Sequence, residues 1–224
     1  MISQMAMARF ALAKAQTDGR QPIFWKLCGS GTGEGFTPRP NWGVWSILAV
    51  WRDEETARDA VWSMPVWQGW RARADEDWHL ILQPLAARGS WSGVNPFLPD
   101  PANQPQPGMM AVLTRATLKP RNALRFWKQV PDISHAIGNN ADVAFKIGIG
   151  ELPFLHQVTF SVWPDAPSMA RFAHADGPHA RAVKEVRAGD WFAEELYARF
   201  RLVGTIGSWG GSDPLASAER RDAA

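Results

Sequence analysis

The spacing of hydrophobic and polar residues along the last third of the chain predicts a strand, then a helix, then a strand. In HQVTFSVW, residues 156–163, every second residue belongs to one row: His156, Val158, Phe160 and Val162. A helical pattern follows, and a second helical segment begins at Pro178, a residue suited to a first helical turn. His179, three residues before Ala182 and seven before Val186, shares the inner face of that segment. We therefore expect a histidine on the buried side of a helix that covers a sheet.

The rest of the chain gives a similar series of strands and helices. The first half is expected to contain a strand at 5–16, a short helix at 21–27, a strand at 42–51, a helix at 53–64 and a strand at 78–85. In the second half we expect a strand at 109–117, a helix at 122–137, a strand at 156–163 and another at 197–203. We interpret each half as a ferredoxin-like unit, for which the order β-α-β-β-α-β is typical.

A sequence motif occurs once at the end of each half. GSWSGVNPF at 89–97 and GSWGGSDPL at 207–215 both read G-S-W-x-G-x-[ND]-P followed by a large apolar residue. Such a match indicates an internal duplication. We predict an α+β fold in which tandem ferredoxin-like repeats form a dimeric-α+β-barrel-like architecture within one chain. The predicted boundaries are 1–97 for the first half, 98–108 for a proline-rich linker, 109–215 for the second half and 216–224 for a tail.

Composition excludes several classes of function. The net charge is only +2 and the basic residues are scattered, which argues against nucleic acid as a partner. One cysteine, Cys28, rules out an intrachain disulfide and a cysteine-built metal site, as suits a cytoplasmic protein. No signal peptide or membrane-spanning run is recognised. Thirteen tryptophans can fill a core or line a wide apolar cavity.

Candidate site residues follow from differences between the two halves. The helix of the first half has no histidine, whereas the corresponding region of the second half carries His174 and His179. Imidazole is a common iron or zinc ligand, so His179 is the first candidate for a metal ligand and His174 the second. The alternative is that His179 is a buried structural histidine. His156 belongs to an apolar row, so we interpret it as a hydrogen-bonded core histidine and not as a metal ligand.

Cationic residues near the same region form a second candidate set. Arg199 and Arg201 alternate with core residues on the last strand and share their face with Tyr197. They could bind acidic groups of a cofactor, or belong to a solvated edge strand. No acid/base pair, catalytic triad or phosphate loop is recognised, because GSGTGEG at 29–35 lacks the terminal Lys-Ser/Thr. From its residues alone, the chain does not reveal a reaction.

Long blocks of the second half resemble a known enzyme family. TRATLKPRNALRFWKQVPDIS, FKIGIGELPFLHQVTFSVWPD, GPHARAVKEVRAGDWFAEELYARF and GSWGGSDPL, spread over residues 110–215, are similar to the spheroidene monooxygenases, the acyclic carotenoid 2-ketolases. The resemblance implies haem b bound between a sheet and a helix, oxygen insertion at C-2 of a linear carotenoid, and a ferredoxin-type electron donor. Carried onto this chain, the axial iron ligand falls on His179.

The resemblance also implies roles for other residues. If haem binds, Lys146, Arg199 or Arg201 could hold its propionates. His156, Phe160 and Trp209 are our candidates for the distal pocket, which no motif of the family identifies. Two alternatives stay open: other haem chemistry on the same barrel, aldoxime dehydration or peroxide-driven oxidation, and a cofactor-free protein that binds apolar ligands. Because carotenoids are found in membranes, we expect a cytoplasmic protein that contacts the inner membrane peripherally. Whether it forms a homo-oligomer is left open.

Overall fold

The computed structural model describes residues 21–101, 107–128, 140–174 and 189–216. Seven strands form one sheet, and their bounds are β1 Phe24–Gly31, β2 Pro40–Val50, β3 Trp78–Gly89, β4 Met110–Leu118, β5 Phe145–Gly150, β6 His156–Trp163 and β7 Phe192–Gly207. The helices are α1 Glu54–Ser63, α2 Pro65–Arg71 and α3 Ala166–His174. A 3-10 turn at Pro120–Asn122 leads into a helical stretch at 123–128.

The order of strands in the sheet confirms the predicted fold class. The order is β2-β1-β5-β6-β4-β7-β3, and β4 pairs antiparallel with both β6 and β7. Within the second half, the order β5-β6-β4-β7 and the helices between the strands give the ferredoxin-like β-α-β-β-α-β plan. The strand predicted at 5–16 lies outside the described residues. The division into two halves at the linker therefore stays a prediction, while the α+β class is confirmed.

The chain forms two compact units, each with its own core. One comprises Met1–Leu27, Ile47–Ile81 and Val203–Pro214, and α1 and α2 contribute most of its buried residues: Leu27, Ala60, Met64, Val66 and Trp67. The other comprises Cys28–Ser46, Leu82–Leu202 and Leu215–Ala224. Its core lies on β4, β6 and β7, where alternate residues are buried.

Local caps explain where two of the helices begin. The Asp53 carboxylate accepts a hydrogen bond of 2.7 Å from the Thr56 amide, and two glutamates occupy the first turn of α1. Asp165 does the same for α3, accepting from the Ser168 amide at 2.6 Å. These amide hydrogen bonds lower the pKa of both carboxyl groups, because they favour the ionised form.

The predicted helix at 21–27 is wrong. Residues from Phe24 onward form β1, whose Gly29 lies opposite Gly150 of β5. A seven-residue helix is too short to be stable by itself, whereas a strand there gains hydrogen bonds from the neighbouring strand. Two other strands are longer than predicted, since β3 extends to Gly89 and β7 begins at Phe192.

The two copies of the G-S-W motif fold alike, as the duplication predicts. Each forms a tight turn with an isolated bridge, Trp91 to Val94 in one copy and Trp209 to Ser212 in the other. The two central residues of each turn have positive φ, 58° and 81° in the first and 69° and 82° in the second. This is the backbone of a type I′ turn, which favours glycine.

Each turn is also bound by a glutamate. Glu194 accepts hydrogen bonds from the Ser90 hydroxyl and the Gly93 amide, at 3.0 and 2.8 Å. Glu76 accepts from the Ser208 hydroxyl at 3.0 Å and from two glycine amides of its turn. We call these two arrangements the carboxylate clasps. Their equivalence shows that the repeat extends to side-chain contacts.

Candidate functional site

The strands β4, β6 and β7 have two chemically different faces. On one, which we call the packed face, the side chains are buried: Ala111, Leu113, Arg115, Val158, Phe160, Val162, Leu196, Ala198 and Phe200. The other, which we call the open face, has half-buried or exposed residues at Val112, Thr114, Gln157, Thr159, Tyr197 and Arg199, and buried residues at Met110, Ala116, Ser161 and Trp163. The candidate site lies on the open face, because its polar groups are accessible to a ligand.

Two rows of cross-strand neighbours make up the open face. Thr114 lies opposite Thr159 on one side and Tyr197 on the other. In the next row, Val112 lies between Ser161 and Arg199, and Ser161 in turn lies opposite Lys146 of β5. The register thus brings Lys146 and Arg199 into one row, separated by three strand spacings of about 4.8 Å each.

Several polar side chains of the open face have no protein partner within the described ranges. The side chains of Thr114, Gln157, Thr159 and Arg199 make no hydrogen bond or ion pair with another described residue. Partly buried polar groups normally find partners in the protein, in water or in a ligand. Two threonine hydroxyls, an amide and a guanidinium are therefore available to bind a polar or anionic group.

Lys146 differs from Arg199 in being already paired. Its ammonium lies 2.9 Å from the Glu34 carboxylate, and its side chain is only 8% exposed. Glu34 belongs to the glycine-rich segment after β1, which rests directly on β5: the Gly148 amide donates to the Glu34 carbonyl at 2.8 Å. A Cβ on Gly148 would lie 2.5 Å from the Gly35 carbonyl oxygen, so only glycine permits this approach.

Helix α3 packs on the open face at one end. Trp163 and Ser161 both belong to this face, and the Trp163 indole donates to the Ser161 hydroxyl at 3.0 Å. The Phe172 ring of α3 lies 5.2 Å from the Trp163 ring. Since α3 ends at His174, the chain leaves the helix on the side of the sheet that carries Arg199.

The predicted distal residues His156 and Phe160 lie on the packed face. Phe160 is buried opposite Leu113, and His156 is the first residue of β6, opposite Thr117. The predicted alternation of β6 is confirmed, with His156 in the apolar row. The strands therefore place His156 and Phe160 on the opposite side of the sheet from Lys146, Arg199 and Arg201. The two predicted sets do not form one pocket in the described structure.

The polar end of the packed face is an ion cluster around Arg115. Arg115 is 2% exposed, and its guanidinium is ion-paired with Glu194 and lies 3.9 Å from Glu151. The Trp91 ring lies 5.6 Å from that guanidinium, and its indole donates to Glu151 at 2.7 Å. His156 Nδ1 lies 3.6 Å from the same Glu151 carboxylate. Arginine tolerates this burial because its planar charge is matched by carboxylates and an aromatic face.

The pKa of Glu194 reflects this position. Burial raises it, but hydrogen bonds from the Gly93 and Ser92 amides and the Ser90 hydroxyl, together with the charge of Arg115, lower it below the usual value. Glu194 is therefore ionised at neutral pH. Glu194 joins the first carboxylate clasp to the buried Arg115, so we interpret this cluster as structural.

The remaining predicted residues are dispersed. Arg201 lies on the open face, half-buried and opposite Met110, two residues from Arg199. Trp209, 39% exposed, forms the bridge of the second turn in the other unit. His179 lies outside the described residues, and for His174 only the backbone is described. The role of each as a site residue stays a prediction.

Sequence reasoning missed the threonines of the open face and the ion cluster. Thr114 and Thr159 could have been found from strand alternation, but only after the register of β4 against β6 is known. The Arg115–Glu194 pair joins residues 79 positions apart and has no local signal. Among the described residues, no group of three or more His, Cys, Asp or Glu side chains could hold a metal ion. None of the described helices has the length and apolarity that a bilayer-spanning segment needs.

Comparison with known proteins identifies the family. No protein-family model matches the chain. A protein named spheroidene monooxygenase from Rhodobacter capsulatus is 55% identical over 218 residues, which are 97% of this chain and 89% of that protein. One of the same name from Cereibacter sphaeroides is 59% identical over 197 residues, 87% of this chain and 60% of that protein.

Solved structures are more distant. A protein from Fusobacterium nucleatum, provisionally named a monooxygenase, is 12% identical, with 93% of this chain and 88% of that one covered and a TM-score of 0.44. A likeness of that size carries no argument. The sequence relatives are decisive: the chain belongs to the spheroidene monooxygenase family, whose members are oxidoreductases.

Proposed function

We propose that this chain is a haem-dependent monooxygenase that inserts oxygen at C-2 of an acyclic carotenoid such as spheroidene. The observation that carries the proposal is its 55% identity, over nearly the whole chain, to a protein named spheroidene monooxygenase. Haem dependence and the C-2 position are our own extension of that name. Spheroidene is a long and mostly apolar polyene, so its binding relies largely on apolar contact and exclusion of water. We expect a cofactor to supply the oxygen chemistry, with the protein binding and orienting the substrate.

The chemistry of the open face fits a haem. A haem is a large apolar disc with carboxylate groups at one edge, and such a ligand needs a cation near an apolar or hydroxyl-lined surface. Arg199 is an exposed cation without a partner among the described residues, and it lies beside Val112 and next to one row of threonine and tyrosine hydroxyls. We assign one propionate to Arg199, with Arg201 next to it. Lys146 is the weaker candidate, because Glu34 already neutralises it.

The contacts and positions of the other histidines limit which one would hold the haem iron. The chain has five, of which His79 donates from Nε2 to the Asp77 carboxylate at 2.6 Å and His156 lies on the packed face. His135, His174 and His179 remain. Helix α3 ends at His174 on the open-face side, and His179 follows five residues later, within about 17 Å of chain. We retain His179 as the residue that would hold the haem iron, with His174 as the second choice.

The protein's own residues would bind, orient and exclude water. When bound, the haem supplies activation of O₂: with two electrons from a ferredoxin-type donor and two protons, one oxygen atom enters a C–H bond and the other leaves as water. Repetition at the same carbon gives a geminal diol, which loses water to leave the ketone. Thr114 and Thr159 have hydroxyl protons that can be donated to a bound polar group. Arg199 would hold the cofactor rather than take part in proton transfer.

A turnover assay tests the proposal. Purified full chain, supplied with haem, a ferredoxin and its reductase, is incubated with spheroidene and the product is examined by mass spectrometry. We expect a product that carries one additional oxygen and has lost two hydrogens, formed only when O₂ and reductant are present. Product formation without O₂, or with peroxide alone at an equal rate, would contradict the monooxygenase assignment. An aldoxime turned over in place of spheroidene would favour the dehydratase alternative.

A further inference from the structure

Four apolar side chains form an exposed patch at one end of the larger unit. Leu124, Leu152 and Phe154 are 79%, 47% and 50% exposed. Trp127 joins them: its ring lies 6.2 Å from that of Phe154, and its indole donates to the Phe154 carbonyl at 3.1 Å. Leu124 precedes Trp127 by three residues in the helical stretch 123–128, so the two share a face. We call this group the apolar patch.

The loop that carries half of the patch is held in one conformation. The Leu118 amide donates to the Leu155 carbonyl at 2.8 Å, and the His156 amide donates to the Leu152 carbonyl at 3.0 Å. Glu151, at the start of the loop, belongs to the ion cluster around Arg115. A fixed loop therefore presents Leu152 and Phe154 to solvent.

Phe154 itself has an uncommon backbone. Its φ is +68°, in the left-handed region that a bulky residue adopts only at a cost. Residues kept in such conformations are concentrated at functional sites. The strained backbone places the Phe154 ring against Trp127 on one side and leaves half of its surface exposed to solvent.

Basic residues flank the patch. Arg121, Arg125 and Lys128 are exposed on the same turn and helix as Leu124 and Trp127. The neighbouring acid, Asp190, is ion-paired with Lys119. The surface around the patch is therefore positive, although the chain as a whole has a net charge of only +2.

We infer that the apolar patch and its basic border are a docking surface for a membrane that contains anionic lipids. Leucine, tryptophan and phenylalanine tips beside lysine and arginine are the composition of interfacial membrane contacts. Long basic side chains can reach the headgroups while the apolar tips enter the acyl region. The observation that favours a membrane as the occupant is the basic border, whose charge is complementary to anionic headgroups. The inference does not depend on the reaction that the chain performs.

Vesicle partitioning tests this surface without any activity measurement. The full chain is mixed with vesicles of phosphatidylcholine alone or of phosphatidylcholine with phosphatidylglycerol, and the bound fraction is measured by sedimentation. We expect stronger binding to the anionic vesicles, weakened by salt. The double variant Leu152→Ser/Phe154→Asn should bind both vesicle types at least about tenfold less. Asparagine is chosen because it tolerates positive φ.

A second variant separates charge from apolar contact. Arg121→Gln/Lys128→Gln should bind the anionic vesicles about twentyfold less and leave binding to phosphatidylcholine unchanged. Leu98→Ser is the control, because Leu98 is also exposed, at 75%, but lies away from the patch. Its neighbour Phe97 packs on Phe200. Phe200 is eight residues along β7 from Phe192, whose ring contacts the patch helix. The Leu98→Ser variant should bind as the unaltered chain does.

Three results would overturn the inference. They are no vesicle binding in either composition, equal binding by the apolar variant, or loss of a dimer in that variant without any vesicle binding, which would make the patch an interface between two copies. Unchanged circular dichroism confirms that each variant is folded. Should the loop variant unfold, Leu124→Ser, on the helical stretch, carries the same expectation of at least about tenfold weaker binding.

Discussion

At the scale of single residues, Arg115 shows how a charge is stabilised inside this fold. It is almost fully buried on β4, and it is matched by Glu194, Glu151 and the face of Trp91. Removing one partner of a buried ion pair costs more than the pair contributes, because the remaining charge keeps its desolvation penalty. The cluster therefore makes the second half of the chain sensitive to a change that neutralises Glu194.

Replacement of Glu194 by glutamine should destabilise the protein by about 3 kcal/mol, since Arg115 then keeps only the more distant Glu151. The pKa of Glu194 is lower in the folded state than in the unfolded state. Its contribution is therefore complete above the unfolded pKa and is lost as pH falls through the folded value. Urea unfolding as a function of pH measures this. The variant should lose less stability on acidification than the unaltered protein, and equal acid sensitivity would contradict the assignment.

Arg199 is the residue of the open face whose replacement should affect the cofactor and not the fold. We expect Arg199→Gln to lower haem affinity about tenfold or more, because a charge-assisted contact to a propionate is lost, and to leave the unfolding free energy within about 0.5 kcal/mol. Haem titration followed by absorbance measures the affinity. Arg121→Gln, another exposed arginine, is the control and should titrate like the unaltered chain. Equal affinities for both variants would remove Arg199 from the site.

At the scale of elements, the carboxylate clasps are the clearest trace of the duplication. Strand β6 was predictable to the residue, because its alternation is strict and one of its faces is buried. Helix and strand could not be told apart at 21–27, because FWKL fits either pattern and pairing with β5 decides. The clasps were predictable as a repeated motif, but not as contacts, since Glu76 and Glu194 lie more than a hundred residues from the turns they bind.

The turn glycines of these elements give a further prediction. Gly89 has φ of 90°, and a Cβ there would lie 2.1 Å from the Glu195 carbonyl oxygen. Gly89→Ala should therefore cost more than about 2 kcal/mol, combining the left-handed backbone with a clash against another strand. Gly33 has φ of 67° with open space around it, so Gly33→Ala should cost only about 1 kcal/mol. Denaturant unfolding compares the two, and equal costs would contradict the steric argument.

At the scale of the whole molecule, the sequence predicted more of the class than of the site. The family and the oxidoreductase class are confirmed by relatives 55% and 59% identical. Lys146 and Arg199 were proposed as one set and do share a row, whereas His156 and Phe160 were proposed for the same pocket and lie on the opposite face. Which strands are neighbours decides this, and alternation within one strand cannot reveal it.

We propose that haem is held on the open face by a histidine that follows α3 in the chain. The most direct measurement is the absorption spectrum and bound iron of the purified full chain, before and after dithionite, for the unaltered protein and for His179→Ala and His156→Ala. We predict a Soret band that shifts on reduction, is lost or displaced in His179→Ala, and is unchanged in His156→Ala. Absence of haem from the unaltered chain, or a band that depends on His156 and not on His179, would contradict the account.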